Sequence, residues 1–162
     1  MEEDTTNYKL VKKLKIGGKS EFVYLLENST GHRLIKKKYS ESDPIHLQHF
    51  KNELEILDHL KDCSFVPKIH KVDKSKNLIY MNYCGKSLEL LNNEQEFTKS
   101  ENFKYKRQIK RLMKKLEEKY GVKRVIEDKV SYKVNYNNVC RKNGKLSLID
   151  FGSLYWQIAD KS

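Results

Sequence analysis

Leu148-Ile149-Asp150-Phe151-Gly152 is an apolar strand that runs directly into an Asp-Phe-Gly triplet. On its own the triplet reads either as an ordinary turn after a strand or as a carboxylate presented by a strand end. What precedes it sharpens the reading. Asn138 lies twelve residues upstream and is followed by Val139-Cys140, a turn at Lys142-Asn143-Gly144, and a return from Lys145 to Asp150. Asn-Gly between two such runs is a strong hairpin signal, so an amide oxygen and a carboxylate are expected at the same end of one hairpin. Magnesium carried on nucleotide phosphates needs only such sparse oxygen ligation, because phosphates and waters complete its octahedron.

The chain of 162 residues is long enough for one domain with a real core and short for two of ordinary size. Lys+Arg 33 against Asp+Glu 22 gives a formal charge of +11, which favours nucleotide phosphates, nucleic acid or acidic protein surfaces as partners, or else describes a solvated basic surface. Alanine is confined to Ala159 while Lys, Asn, Ile and Tyr abound, the pattern of an AT-rich gene that inflates lysine. Cys63, Cys84 and Cys140 are widely spaced, with no zinc-like partners, which points to a reducing compartment. The acidic start Met1-Glu2-Glu3-Asp4 is followed by no apolar core and no run is long enough to span a bilayer, so the expectation is an intracellular protein, in cytoplasm or nucleus, neither secreted nor membrane-bound.

Three strands are expected first, over Tyr8 to Ile16, Phe22 to Leu26 and Arg33 to Tyr39, with Gly17-Gly18 between the first two. A helix follows, capped by Ser42 or Asp43, with Pro44 in its first turn and Phe50, Leu54, Leu57 and Leu60 at helical spacing. Strands over Val66 to Val72 and Leu78 to Asn82 come next, then a polar loop at Glu94 to Glu101. A long helix from about Asn102 to Tyr120 carries the stripe Tyr105, Ile109, Leu112, Met113, Leu116 and Tyr120, and Gly121 stops it. The pattern predicts an α+β fold, an antiparallel sheet with one packed helix followed by a mainly helical second part.

Glu53 falls in the middle of the first helix's apolar stripe, where an unpaired carboxylate costs several kcal/mol to bury. Either it reaches solvent at the stripe's edge or it needs a cation from the neighbouring strand. Lys36 is the favoured partner, because Leu34 and Lys36 share a strand face, with Lys37 and Lys38 competing.

In this order the motifs resemble the protein-kinase-like superfamily over nearly the whole chain. Gly17-Gly18-Lys19-Ser20-Glu21-Phe22-Val23-Tyr24 looks like a shortened glycine-rich loop, closer to the form in aminoglycoside and choline kinases than to the three-glycine form of protein kinases. The resemblance implies ATP and magnesium as cofactors, with Lys36 on the phosphates and Glu53 as its helix partner. It implies Met81 as gatekeeper of a hinge whose backbone at Asn82 and Cys84 faces adenine, with Gly17, Gly18, Ser20 and Val23 covering the nucleotide. Asn138 and Asp150 match the two metal ligands. The implied architecture is a single kinase-like domain over residues 1–162, an N-lobe of about 8–83 and a reduced C-lobe of about 84–162.

Two departures shape the functional expectation. Five residues before Asn138, where the family keeps its catalytic Asp, stands Lys133, and its loss as a base costs about 10²- to 10⁴-fold. The alternation of Val130, Tyr132, Val134 and Tyr136 reads as a strand, which keeps Glu127 and Asp128 from standing in. The sequence also ends ten residues after Gly152, leaving Leu154, Tyr155, Trp156 and Ile158 either to close the core or to form a protein-partner patch. A pseudokinase or attenuated serine/threonine-kinase-like transferase is therefore expected. The alternatives are an active phosphotransferase on a small molecule or itself, and a basic nucleic-acid-binding module using Lys104, Lys106, Arg107, Lys110, Arg111, Lys114 and Lys115 beside Phe103 and Tyr105.

Overall fold

Five antiparallel strands and one helix make up most of the first of two compact units in the computed structural model, which describes residues 5–16 and 22–159. The strands are β1 (Lys9–Ile16), β2 (Phe22–Glu27), β3 (Arg33–Lys38), β4 (Ile69–Asp73) and β5 (Leu78–Asn82), arranged β1-β2-β3-β5-β4. Helix α1 (Pro44–His59) enters between β3 and β4. The Asp43 side chain accepts from the Ile45 N–H at 3.0 Å and Pro44 occupies the first turn, where its missing N–H leaves no bond unmade. The helix buries Phe50, Glu53, Ile56 and Leu57, with Ile56 in the place the sequence pattern assigned to Leu54, which is half-buried. Full burial of Leu34, Ile56 and Ile79 stabilises this unit by about 1.5–3 kcal/mol each. Phe151–Leu154 also belong to it.

The second unit comprises Asp62–Val66, residues 84–150 and residues 155 onward. It holds β6 (Lys86–Ser87), α2 (Leu88–Asn93), α3 (Lys99–Tyr120), β7 (Val122–Ile126), β8 (Lys129–Ser131), a 3-10 turn (Tyr136–Asn138), β9 (Val139–Lys142), β10 (Lys145–Leu148) and β11 (Trp156–Ile158). The expectation of a mainly helical second part is corrected: two three-stranded sheets, β10-β9-β6 and β11-β7-β8, accompany the helices. Their strands are two to five residues long and rich in lysine, too short and polar to show an apolar period. The strand expected through Tyr136 stops at Ser131, and Glu127 and Asp128, both at positive φ, turn β7 into β8.

The β9–β10 hairpin has the expected form, with Asn143 and Gly144 both at positive φ in its turn and Leu148 opposite Val139. Gly85 stands at φ +98 so close to the backbone of Arg141 that a Cβ would overlap that carbonyl, which is how β6 reaches β9. Helix α3 begins earlier than expected because Thr98 and Glu101 form a capping box. The Thr98 hydroxyl accepts from the Glu101 N–H at 3.3 Å, and the Glu101 carboxylate accepts from the Thr98 N–H at 3.1 Å. Gly121, left-handed at φ 67, ends the helix as expected.

Thr98→Ala is expected to lower stability by about 1 kcal/mol in urea denaturation. The Thr98 N–H, aided by the Tyr105 hydroxyl, holds the Glu101 carboxyl below its ordinary range. Glu101 therefore contributes its part of the cap above the unfolded-state value of 4.5 and loses it as pH falls through the depressed folded value. The difference between wild type and Glu101→Gln is expected to shrink over that acid window.

Candidate functional site

A strand alternates its side chains, so the choice between Lys36 and Lys37 is a choice of sheet face. Across β2, β3 and β5 the register pairs Val23 with Lys37, Lys37 with Ile79, and Ile35 with Met81, which puts these five on one face. Lys36 lies opposite Tyr24 and Tyr80 on the other face, its ammonium 5.9 Å from each ring centroid. Glu53 of α1 meets the first face. Its carboxylate accepts from the Lys37 ammonium at 2.9 Å and from the Tyr39 hydroxyl at 2.9 Å. Glu53 is 1% exposed and Lys37 5%.

The expectation of a buried Glu53 held by a β3 lysine is met, and the identity of the lysine is corrected from Lys36 to Lys37. Leu34 misled the choice: it is fully buried, yet on the face away from Glu53. Val23 and Met81, themselves site candidates, share the Lys37 face, a relation that the strand registers supply.

Phe151 and Gly152 of the triplet tie into the same corner of the first unit. The Asn52 amide, one residue before Glu53, donates to the Ser153 carbonyl at 2.8 Å and to the Phe151 carbonyl at 3.5 Å. Phe151 is fully buried. Gly152 has no room for a side chain: a Cβ there would collide with the Tyr39 hydroxyl and lie 3.3 Å from the Glu53 carboxylate. Asn52 and Tyr39 escaped sequence reading, since neither belongs to the apolar stripe.

In the second unit the Ile149 N–H donates to the Asn138 carbonyl at 2.9 Å, so Asn138 and Asp150 lie at one end of the hairpin, as expected. The Asn138 N–H donates to the Asn135 carbonyl at 2.9 Å, while its side-chain amide makes no hydrogen bond among the described residues. Asp150 adopts φ 69, the left-handed conformation that Asp and Asn tolerate better than other side chains. No group of three or more His, Cys, Asp or Glu able to hold a metal occurs among the described residues.

The remaining candidates separate. Gly17, Gly18 and Ser20 lie outside the described residues. Met81 is buried in β5. Asn82 is bound to Lys68, its N–H donating to the Lys68 carbonyl at 3.1 Å and its side chain accepting from the Lys68 N–H, so its backbone donor is not open to an adenine. The Cys84 thiol is pushed up by burial against the pull of Ser147, and burial pushes Cys140 to about 12. Lys133 is exposed just after β8, its carbonyl accepting from Arg124 at 3.1 Å. Trp156 is buried in β11 and closes the second unit, while Leu154 and Tyr155 are 50% and 47% exposed. Tyr105 is a core residue whose hydroxyl accepts from Arg141 at 2.6 Å, which removes it from the basic surface. Among the described residues no helix is long and apolar enough to cross a membrane.

The chain matches no protein-family model, and no curated protein matches it in sequence.

Lys37→Met, which strands Glu53 without its cation, is expected to cost about 3–5 kcal/mol in urea denaturation. Adding Glu53→Leu is expected to recover most of that loss, and Lys36→Met to change stability by less than about 0.5 kcal/mol. Both thiols being neutral, Cys84 and Cys140 are expected to react with iodoacetamide at pH 8 far more slowly in the native than in the unfolded protein.

Proposed function

We propose that this chain is a kinase-like protein that binds ATP with magnesium and transfers phosphate weakly or not at all. The observation that carries the proposal is the buried Lys37–Glu53 pair with Gly152 packed against it. A strand lysine, a helix glutamate and the glycine after a strand-end Asp, remote in sequence, converge on one corner, and that convergence fits the motif order of the kinase-like superfamily. Lys37, rather than Lys36, is then the phosphate-binding lysine, and Val23, Ile35 and Met81 on its sheet face supply apolar surface for the base. Glu53, itself held by the Tyr39 hydroxyl, fixes the ammonium so that little reorganisation is needed when an anion arrives.

Asn138 and Asp150 would hold the magnesium that accompanies the nucleotide, whose role is to neutralise phosphate charge. A single carboxylate and an amide bind a bare divalent ion poorly and a phosphate-bound one well. Lys133, exposed and cationic, can attract the terminal phosphate but cannot accept a hydroxyl proton. Transfer to an alcohol is accordingly slowed, whereas binding is not.

A thermal-shift titration tests the reading. With a dissociation constant near 100 µM, 1 mM ATP with magnesium adds about 1.4 kcal/mol, a rise of a few degrees in Tm. Asp150→Asn, which keeps the left-handed backbone, is expected to remove the magnesium-dependent part of the rise. No shift in wild type at millimolar magnesium-ATP would retire the proposal. In a radiolabel assay Lys133→Asp is expected to create no peptide kinase activity, because positioning is worth about 7–11 kcal/mol against about 3–5 for a base. Rapid transfer by that variant would show that the base alone was missing.

A further inference from the structure

Helix α3 presents a face that the nucleotide site does not use. From Asn102 to Leu116 the helix contains no acidic residue, and Glu117 and Glu118 lie beyond its basic run. Phe103, Lys106, Arg107, Lys110, Arg111 and Lys114 are all exposed, and at about 100° per residue all but Lys106 fall within one face turned away from the buried Tyr105, Ile109, Met113 and Leu116, with Lys106 at its border. Among the described residues Lys106, Arg107, Lys110 and Arg111 have no carboxylate partner. Lys114 stands over the Tyr132 ring at 5.7 Å, and Tyr132 in turn donates to Glu117 at 2.5 Å, which draws that carboxylate toward β8.

Such a surface is costly for an isolated helix. Arg107 with Lys110 and Arg111, and Lys110 with Lys106 and Lys114, are like-charge neighbours three and four residues apart, each pair mildly destabilising. A polyanion laid along the face would relieve all of them together. At the N-terminal end of the same face Phe103 is 66% exposed, the most exposed large apolar side chain among the described residues.

We propose that this face is a binding site for single-stranded nucleic acid, the cations tracking the phosphates and Phe103 stacking on a base. The stripe from Phe103 to Lys114 is about 16 Å long, enough for a short run of backbone phosphates. An aromatic platform beside a row of cations is the sequence-tolerant way of holding a single strand. The helix's apolar side is in the core, so α3 cannot lie in a membrane by burying it.

The test is fluorescence anisotropy of a labelled 12-nucleotide oligouridylate with the full chain. Wild type is expected to bind with a salt slope of about −3 in log–log form, losing about sixtyfold in affinity from 50 to 200 mM salt. Arg107→Glu/Lys110→Glu/Arg111→Glu is expected to lose at least about tenfold in affinity and most of the slope. Phe103→Ala is expected to weaken binding about five- to 150-fold. Lys51→Glu/Lys74→Glu/Lys76→Glu, the same charge change on the first unit, is expected to retain the wild-type slope. Circular dichroism confirms that each variant is folded. Absence of oligouridylate binding, or equal loss in both triple variants, overturns the site. An unchanged Phe103→Ala affinity, tighter binding to a 12-base-pair duplex, or binding only to phosphatidylserine vesicles overturns the single-strand assignment.

Discussion

The buried ion pair between Lys37 and Glu53 is the constraint around which the first unit is organised. A carboxylate 1% exposed in the middle of an apolar helix face is tolerable only with a cation and a further donor in place, and Lys37 and Tyr39 supply both. That requirement sets the rotation of α1, because the side of the helix carrying Phe50, Ile56 and Leu57 must be the side that meets the Lys37 face of the sheet. It also explains the glycine of the Asp-Phe-Gly triplet: nothing larger fits against the Tyr39 hydroxyl. Asn52, holding the Phe151 and Ser153 carbonyls, anchors that segment from the same helix.

The elements legible in the sequence were those with strong local rules. The β9–β10 hairpin followed from Asn143-Gly144, α1 from Asp43-Pro44 and its stripe, and the end of α3 from Gly121. Helix α3 starts three residues before the expected Asn102 because Thr98-x-x-Glu101, polar enough for a loop, is a capping box. Strands β6, β7 and β11 lie outside the sequence expectation for a different reason. Strands this short are specified by their partners: β11 is placed by pairing Trp156 with Arg124, a contact with no local trace.

The site was legible in kind and mistaken in one register step. A buried glutamate, its lysine strand and a hairpin bearing Asn138 and Asp150 all follow from residue chemistry. Choosing between adjacent lysines requires knowing which face of β3 the helix covers, and Leu34 and Ile35 give no answer because both are apolar. Tyr105 belongs to the core, as its place in the apolar stripe indicates, and not to the basic face beside which it also falls in sequence. In the proposed nucleotide reading the shift matters chemically. Lys37 is oriented by Glu53, which Tyr39 holds in turn, whereas Lys36 stands over tyrosine rings.

The most direct test is labelling with an acyl phosphate of ATP, which transfers its acyl group to a lysine amine held near the nucleotide phosphates, followed by peptide mapping. The account predicts acylation of Lys37, protected by magnesium-ATP, with Lys36 modified no faster than other exposed lysines. Protected labelling at Lys36 with Lys37 untouched, or labelling that magnesium-ATP does not reduce, would contradict it.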